Sequence, residues 1–201
     1  MTRPVLLGLT GSIGMGKSTT AELFAEHDVP VWDADAAVHR IYARGGSAAE
    51  PMRAAFPDAV VDGAVSRDAL RAYLRDDPGA LQRLEAIVHP LLAEDRAAFI
   101  ARCEHDRAPL AVFDIPLLFE TGLDAQMDAT LVVTAPSDVQ RARVLQRPGM
   151  TEAQLDMLLA RQMPDAEKRA RADHVIETRS IDRTRRDVQD LIRTLEEDRD
   201  A

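Results

Sequence analysis

Asparagine is absent from this 201-residue chain, cysteine occurs once, and only two of the 25 basic residues are lysine. Without asparagine the chain cannot write the N-K-x-D motif by which a GTPase switch reads guanine, which excludes that class. Cys103 has no partner for an internal disulfide and reads as a small apolar residue. His27, His39, His89, His105 and His174 are scattered, with no Cys or His neighbour at metal-ligand spacing. No stretch approaches 18 consecutive apolar residues, and the first residues lack the apolar core and small-residue cleavage site of a signal peptide, so a soluble, cytoplasmic protein is expected. Acids outnumber bases 34 to 25, for a net charge of −9, and no run of five or six like charges occurs. Neither nucleic acid nor an anionic membrane is expected as a partner, and any anion binding is local. No coiled-coil heptad or apolar surface stripe marks an oligomer interface, and the oligomeric state is left open.

What is present is concentrated near the start. Gly11-Ser12-Ile13-Gly14-Met15-Gly16-Lys17-Ser18 fits G-x-x-x-x-G-K-[ST], follows the apolar run 5–9 and precedes a helical pattern. In that context the glycines let backbone N–H groups curl around a phosphate, and the helix turns its positive end to the same anion. Lys17 then reaches the β- and γ-phosphates, while the Ser18 hydroxyl is placed for Mg²⁺. A lysine here stands against 23 arginines elsewhere. A compact ammonium fits between two phosphates where a planar guanidinium does not.

Short apolar runs at 29–32, 110–115 and 130–134 read as further strands, with 174–177 as a fourth. Helical patterns at 19–27, 137–147 and from about 182, with Val188, Leu191, Ile192 and Leu195 on one face, lie between and after them. Strands alternating with helices predict an α/β fold: a P-loop NTPase-type, three-layer arrangement with a doubly wound parallel sheet. The ligand then belongs at the carboxyl ends of the strands. Residues 36–107 are helical in pattern and broken at Gly45-Gly46, Pro57, Asp62-Gly63 and Asp77-Pro78-Gly79, which predicts a helical insertion. Residues 147–172 carry a Thr151/Gln154 capping box and the bases Arg147, Arg161, Lys168, Arg169 and Arg171, the pattern of a helical lid beside a phosphate site or of an ordinary charged surface helix. The expected division is a nucleotide core of 1–35, 108–146 and 173–201, an insertion of 36–107, and a lid of 147–172.

Asp33 and Asp35 follow the second strand directly. If the backbone stays extended there, both carboxylates point to one side at the mouth of the sheet, where one can take a proton from an attacking hydroxyl or help hold Mg²⁺. An Asx turn or helix cap is the plainer alternative. Asp114 ends the run 110–115 either as a carboxylate near Mg²⁺ or as the start of a turn. His89, before Pro90, is either a substrate contact or the junction of two helices. Residues 116–120 read as packing and turn geometry.

The P-loop with Leu9, Thr10 and Thr19, then Val31-Trp32-Asp33-Ala34-Asp35, His89-Pro90 and Asp114-Ile115-Pro116-Leu117-Leu118-Phe119-Glu120, resembles the dephospho-CoA kinase family. Gln140, Arg143, Arg147, Gln162 and Ala172-Asp173-His174-Val175-Ile176 continue the pattern in order and spacing, so that the resemblance spans about residues 5–178. It implies transfer of the ATP γ-phosphate to the ribose 3′-hydroxyl of dephospho-CoA, with Mg²⁺, as the last step of coenzyme A biosynthesis. Gly11, Gly14, Met15, Gly16, Lys17, Ser18 and Thr19 carry over as the ATP site and Asp35 as the base. Asp33, Asp35, His89 and Pro90 fall on the acceptor side, with Ser18 and Asp114 toward the metal. Arg143 and Arg147 match the arginines that open the family's lid and clamp phosphates. Two departures are visible: Ser12 stands where many members have glycine, and Glu177-Thr178-Arg179 stands where an asparagine is usual, so the latter three carry no assigned role.

A kinase of a smaller acceptor, such as shikimate or gluconate, shares the P-loop, the acid after the second strand and a lid. An insertion of roughly 70 residues suits a larger acceptor that carries a nucleotide and a pantetheine arm. An ATP-binding module without catalysis would bind nucleotide and release no ADP in response to an acceptor.

Overall fold

Five short segments build one sheet: β1 (Val5–Thr10), β2 (Val31–Asp33), β5 (Leu110–Asp114), β6 (Ala129–Thr134) and β7 (His174–Glu177), of which the central β1, β5 and β6 are hidden on both faces and the edge strands β2 and β7 are partly open. Their order is β2-β5-β1-β6-β7, and the pairings of β1 with β5, β1 with β6, and β6 with β7 are parallel. Parallel strands buried on both sides read as continuous apolar runs, which is why the runs were legible without alternation. The computed structural model describes residues 3–200. These divide into two compact units, one formed by both ends of the chain up to Trp32 and from Arg102 onward, the other by Asp33–Ala101.

In the first unit, Leu7, Leu9, Leu110, Val112, Leu131 and Val133 point to one face and pack on Leu23 and Phe24 of α1 (Lys17–Ala25) and on Val188, Leu191 and Leu195 of α9 (Ile181–Asp200). The expected apolar stripe of the last helix is thus its core face, with Ile192 at the margin. On the opposite face Gly8 leaves room for Leu118 and Met127; a Cβ there would come within 2.8 Å of the Leu118 side chain. Three further helices complete this unit: α6 (Ser137–Leu145), α7 (Glu152–Leu159) and α8 (Asp165–Arg171). α7 opens on the expected capping box, with Thr151 and Gln154 satisfying each other's backbone N–H groups.

The second unit contains α2 (Ala34–Tyr42), α3 (Ala49–Ala55), α4 (Arg67–Asp76) and most of α5 (Ala80–His105). Its own core gathers Ile41, Met52, Phe56, Val65 and Leu70, with Phe56 edge-on to Tyr73 at 5.2 Å. Two features depart from the expected helical insertion. Residues 60–65 form an antiparallel hairpin, β3 (Val60–Val61) with β4 (Ala64–Val65). Asp62 (φ 51°) and Gly63 (φ 79°) both adopt positive φ, the requirement of a type I′ turn, so the Asp-Gly break in the helical pattern is the reversal of a strand. Pro90 does not separate two helices either: α5 runs through it for 26 residues. Proline there withholds only the N–H that would reach the Ala86 carbonyl, a loss that the buried faces of Leu84, Ile87, Val88 and Leu91 on either side offset by packing into the unit's core.

Candidate active site

β1 delivers the chain into the P-loop at the carboxyl edge of the sheet. Gly14 (φ 79°) and Gly16 (φ 91°) take left-handed conformations, and a Cβ on Gly14 would stand 2.4 Å from the Val144 side chain. Gly16 is the N-cap of α1 and no side chain caps the helix, nor does an acid occupy its first turn. The N–H groups at this end are therefore directed at whatever the loop encloses, with the helix dipole adding positive potential. Lys17 opens the helix, and Ser18 and Thr19 follow on its exposed side.

The Lys17 ammonium is ion-paired to Asp114. Asp114 ends β5 in register with Leu9 of β1, and only 3% of its side chain is exposed. A carboxylate so buried needs a cation, and the register of two adjacent parallel strands supplies it from the loop that follows the first. One point at the sheet's edge therefore holds a cation suited to phosphate oxygens beside a hard anionic oxygen. Among the described residues no group of three or more His, Cys, Asp or Glu side chains gathers to hold a metal by itself. The Ser18 hydroxyl and the Asp114 carboxylate are the hard oxygen donors that fit Mg²⁺, an ion that takes one or two protein ligands and completes its octahedron with phosphate and water.

The walls of the loop come from far along the chain. Gln140, buried on α6, donates from Nε2 to the Ile13 carbonyl at 2.8 Å, and the Ile13 N–H donates to Gln162 Oε1 at 3.2 Å. Met15 points inward, its sulfur accepting the Ala135 N–H, so its side chain anchors the loop while its backbone forms it. Thr178 is the residue most clearly missed by sequence reasoning. Its buried hydroxyl donates to the Met15 carbonyl at 2.8 Å and accepts from Arg143 at 3.0 Å, while a second Arg143 nitrogen reaches the Thr178 carbonyl. The departure at 177–179 thus carries a strut between the P-loop and Arg143. Its only sequence signal was its place one residue beyond β7, at the carboxyl edge of the sheet. Beside the loop lies a cavity of about 410 Å³ bordered by Met15, Thr134, Pro136, Gln140, Arg169 and Arg179.

The remaining expected residues are distributed differently. Arg147 lies just beyond α6 and is exposed. Of the lid bases, Arg161 is exposed, Arg169 pairs with Asp165, Arg171 pairs with Asp124 across the face of Phe119, and Lys168 is fully buried against Glu120. Glu120 is thereby more than turn geometry. Its burial raises the carboxyl's pKa, but the Lys168 ammonium and the Met163 N–H outweigh that and hold it below the usual range. Asp33, Asp35, His89 and Pro90 belong to the other unit. The extended backbone expected at Asp33 to Asp35 is not found. The strand stops at Asp33, whose carboxylate caps α2 by accepting the Ala36 N–H at 2.9 Å. Asp35 falls in the first helical turn, where residues two apart do not share a face, because capping the N–H groups of a new helix is more favourable than continuing an edge strand.

A parallel sheet whose first strand runs through G-x-x-x-x-G-K-S into an uncapped helix, with the lysine held by a buried acid at the end of a neighbouring strand, defines a P-loop kinase core. The match of the dephospho-CoA kinase family model to residues 5–182 makes the more particular assignment: the chain belongs to the dephospho-CoA kinase family, a family of transferases. It is 60% identical over 199 residues to the dephospho-CoA kinase of Cereibacter sphaeroides, covering 99% of this chain and 100% of that one. With the enzyme of the same name from Jannaschia sp. it shares 61% identity over 191 residues, 95% and 97% of the two chains. The crystal structure of TT1252 from Thermus thermophilus superposes with a TM-score of 0.81 at 38% identity, over 96% of this chain and 98% of that one.

Proposed function

We propose that the chain transfers the γ-phosphoryl group of ATP to the ribose 3′-hydroxyl of dephospho-CoA, giving CoA and ADP in the cytoplasm. The observation that carries this reading is Lys17 held against Asp114 where β1 opens into the P-loop, within a chain of the dephospho-CoA kinase family. The loop N–H groups and Lys17 bind the β- and γ-phosphates, and Arg143, fixed to the loop through Thr178, joins Arg147 in neutralising charge on the transferring group. Asp35 takes the proton of the acceptor hydroxyl as its oxygen bonds to the γ-phosphorus and the bond to the β–γ bridging oxygen breaks. Ser18 and Asp114 would hold Mg²⁺, which neutralises phosphate oxygens and orients the triphosphate when bound. Residues 36–107, with Asp33, His89 and Pro90, serve the acceptor, and residues 147–172 serve as the lid. Among the described residues no helix is long and apolar enough to cross a membrane.

The test is ADP release from Mg·ATP by the purified protein with dephospho-CoA, shikimate, gluconate or no acceptor. Release that depends on dephospho-CoA, with CoA formed in step, is expected. Turnover with another acceptor alone would keep the kinase and remove the substrate. Asp35→Asn is expected to spare ATP binding and lower kcat by about 10² or more, the usual worth of a positioned base. Normal turnover in that variant would remove Asp35 from the role.

A further inference from the structure

Only two lysines occur in the chain, and both sit against acids at or beyond the end of β5: Lys17 on Asp114 and Lys168 on Glu120. The first belongs to the phosphate site. The second has no exposed surface at all, lies 2.9 Å from Glu120 Oε1, and directs its ammonium toward the Pro116 carbonyl at 3.5 Å. An ion pair with one charge wholly buried, while Glu120 keeps some contact with water, is a poor device for stability, because desolvating the ammonium offsets most of the attraction. It does fix geometry, since each charge tolerates only the place where its partner stands.

The groups fixed in this way lead to the P-loop from two sides. The Pro116 carbonyl also accepts the Thr10 hydroxyl at 3.0 Å, and Thr10 is the last residue before Gly11. Glu120 Oε1 also accepts the Met163 N–H at 2.9 Å. The neighbouring Gln162 receives the N–H of Ile13, inside the loop. Residues 162–168 therefore grip the P-loop through Gln162 and the segment after Asp114 through Lys168. Pro116 lies two residues beyond Asp114, so displacing it moves the carboxylate that Lys17 meets. A guanidinium, planar and bulkier, does not fit a wholly enclosed point that needs two donors in different directions.

We infer that Lys168 is a positioning residue for phosphoryl transfer: β1 and β5 set the register, and Lys168, through Glu120 and the Pro116 carbonyl, holds the segment after Asp114 so that its carboxylate stays against Lys17. The inference rests on the functional reading above. It assigns Lys168 no contact with substrate.

The decisive variant is Lys168→Met/Glu120→Leu, which removes the buried ammonium and its partner's charge and retains their volume. A merely structural pair replaced by apolar side chains leaves Tm and activity near wild type. The positioning role predicts a Tm within a few degrees of wild type, a KM for ATP within about threefold, and kcat lowered about tenfold or more, with Lys168→Arg failing to restore it. Wild-type kcat in the folded double variant overturns the inference. Should the double variant not fold, Glu120→Gln decides: it keeps an oxygen acceptor and removes the charge, and unchanged kcat there is equally fatal. Trp32 provides a readout independent of the acceptor, since its ring lies 6.0 Å from that of Phe113, next to Asp114. Absence of dephospho-CoA-dependent turnover in the wild type would overturn the functional reading. The Lys168 assignment would then be read from Trp32 emission on titration with Mg·ATP, where superposable wild-type and variant curves overturn it.

Discussion

The two units differ in how deeply they bury charge. In the unit of Asp33–Ala101 every described ion pair is at least partly solvated: Arg53 with Glu50, Arg71 with Asp68, Arg75 with Asp76, Arg83 with Asp77, and Arg40 with Asp95. Such pairs keep a helical surface wet and add little stability. The P-loop unit carries exposed pairs as well, such as Arg141 with Asp156 and Arg193 with Asp190, but it adds two in which one charge is buried, Asp114 against Lys17 and Lys168 against Glu120, each joining segments remote in sequence. The same residue classes thus mark the surface in both units and, in the P-loop unit alone among the described pairs, also set the geometry of a site. Burial separates the two uses, and composition does not.

The comparison breaks most visibly at Lys17. Lys17→Ala is expected to lower kcat/KM by about 10²–10³, the worth of one preorganised charge donor, measured as dephospho-CoA-dependent ADP release. The next largest effect is expected at Thr178. Thr178→Val preserves shape but leaves the Met15 carbonyl and an Arg143 donor without their partner, which costs about 1–3 kcal/mol. Thermal unfolding should show a Tm lower by roughly 3–8 °C, and kcat/KM should fall about tenfold.

A smaller effect sharpens the contrast through pH. Glu120 is held below its usual range by Lys168 and the Met163 N–H against the effect of its burial, Asp128 by Arg3 and the Leu6 N–H against the same effect, and Asp173 by the Thr130 hydroxyl and N–H. A carboxyl whose folded pKa is depressed adds stability above its unfolded pKa and loses it as pH falls through the folded value. Tm should therefore hold from about pH 7 to 5 and fall below the ordinary carboxylate range. Glu120→Gln should lower Tm at neutral pH and flatten the acid limb, an outcome read directly from Tm against pH. The smallest effect belongs to the other unit. Arg71→Ala removes an exposed pair and is expected to shift Tm by less than about 2 °C; a larger shift would erase the distinction between the units.

Much of the fold was legible because its signals are local. Apolar runs, hidden on both faces in the central β1, β5 and β6, gave the strands, the stripe of Val188, Leu191 and Leu195 gave the last helix, and Thr151 with Gln154 gave the start of α7. The hairpin at 60–65 was legible in principle, since Asp62-Gly63 lies between two pairs of apolar residues, but two-residue strands scarcely rise above a helical background. Pro90 misled because a proline's local preference to end a helix was overridden by packing on both sides of it. Asp33 was caught between two local rules, strand continuation and helix capping, and the cap prevailed.

Of the site, the sequence by itself determined the P-loop, since the glycines, Lys17 and Ser18 act within eight consecutive residues and their chemistry follows from spacing alone. It also determined that one acid would end the strand at Asp114. Only the tertiary structure decided which charges meet. Thr178 reaches Met15 across 163 residues, Gln162 reaches Ile13 across 149, and Lys168 lies 52 residues from the Pro116 carbonyl. Such pairings depend on strand order and on how much water the fold excludes around each charge, and no local spacing encodes either.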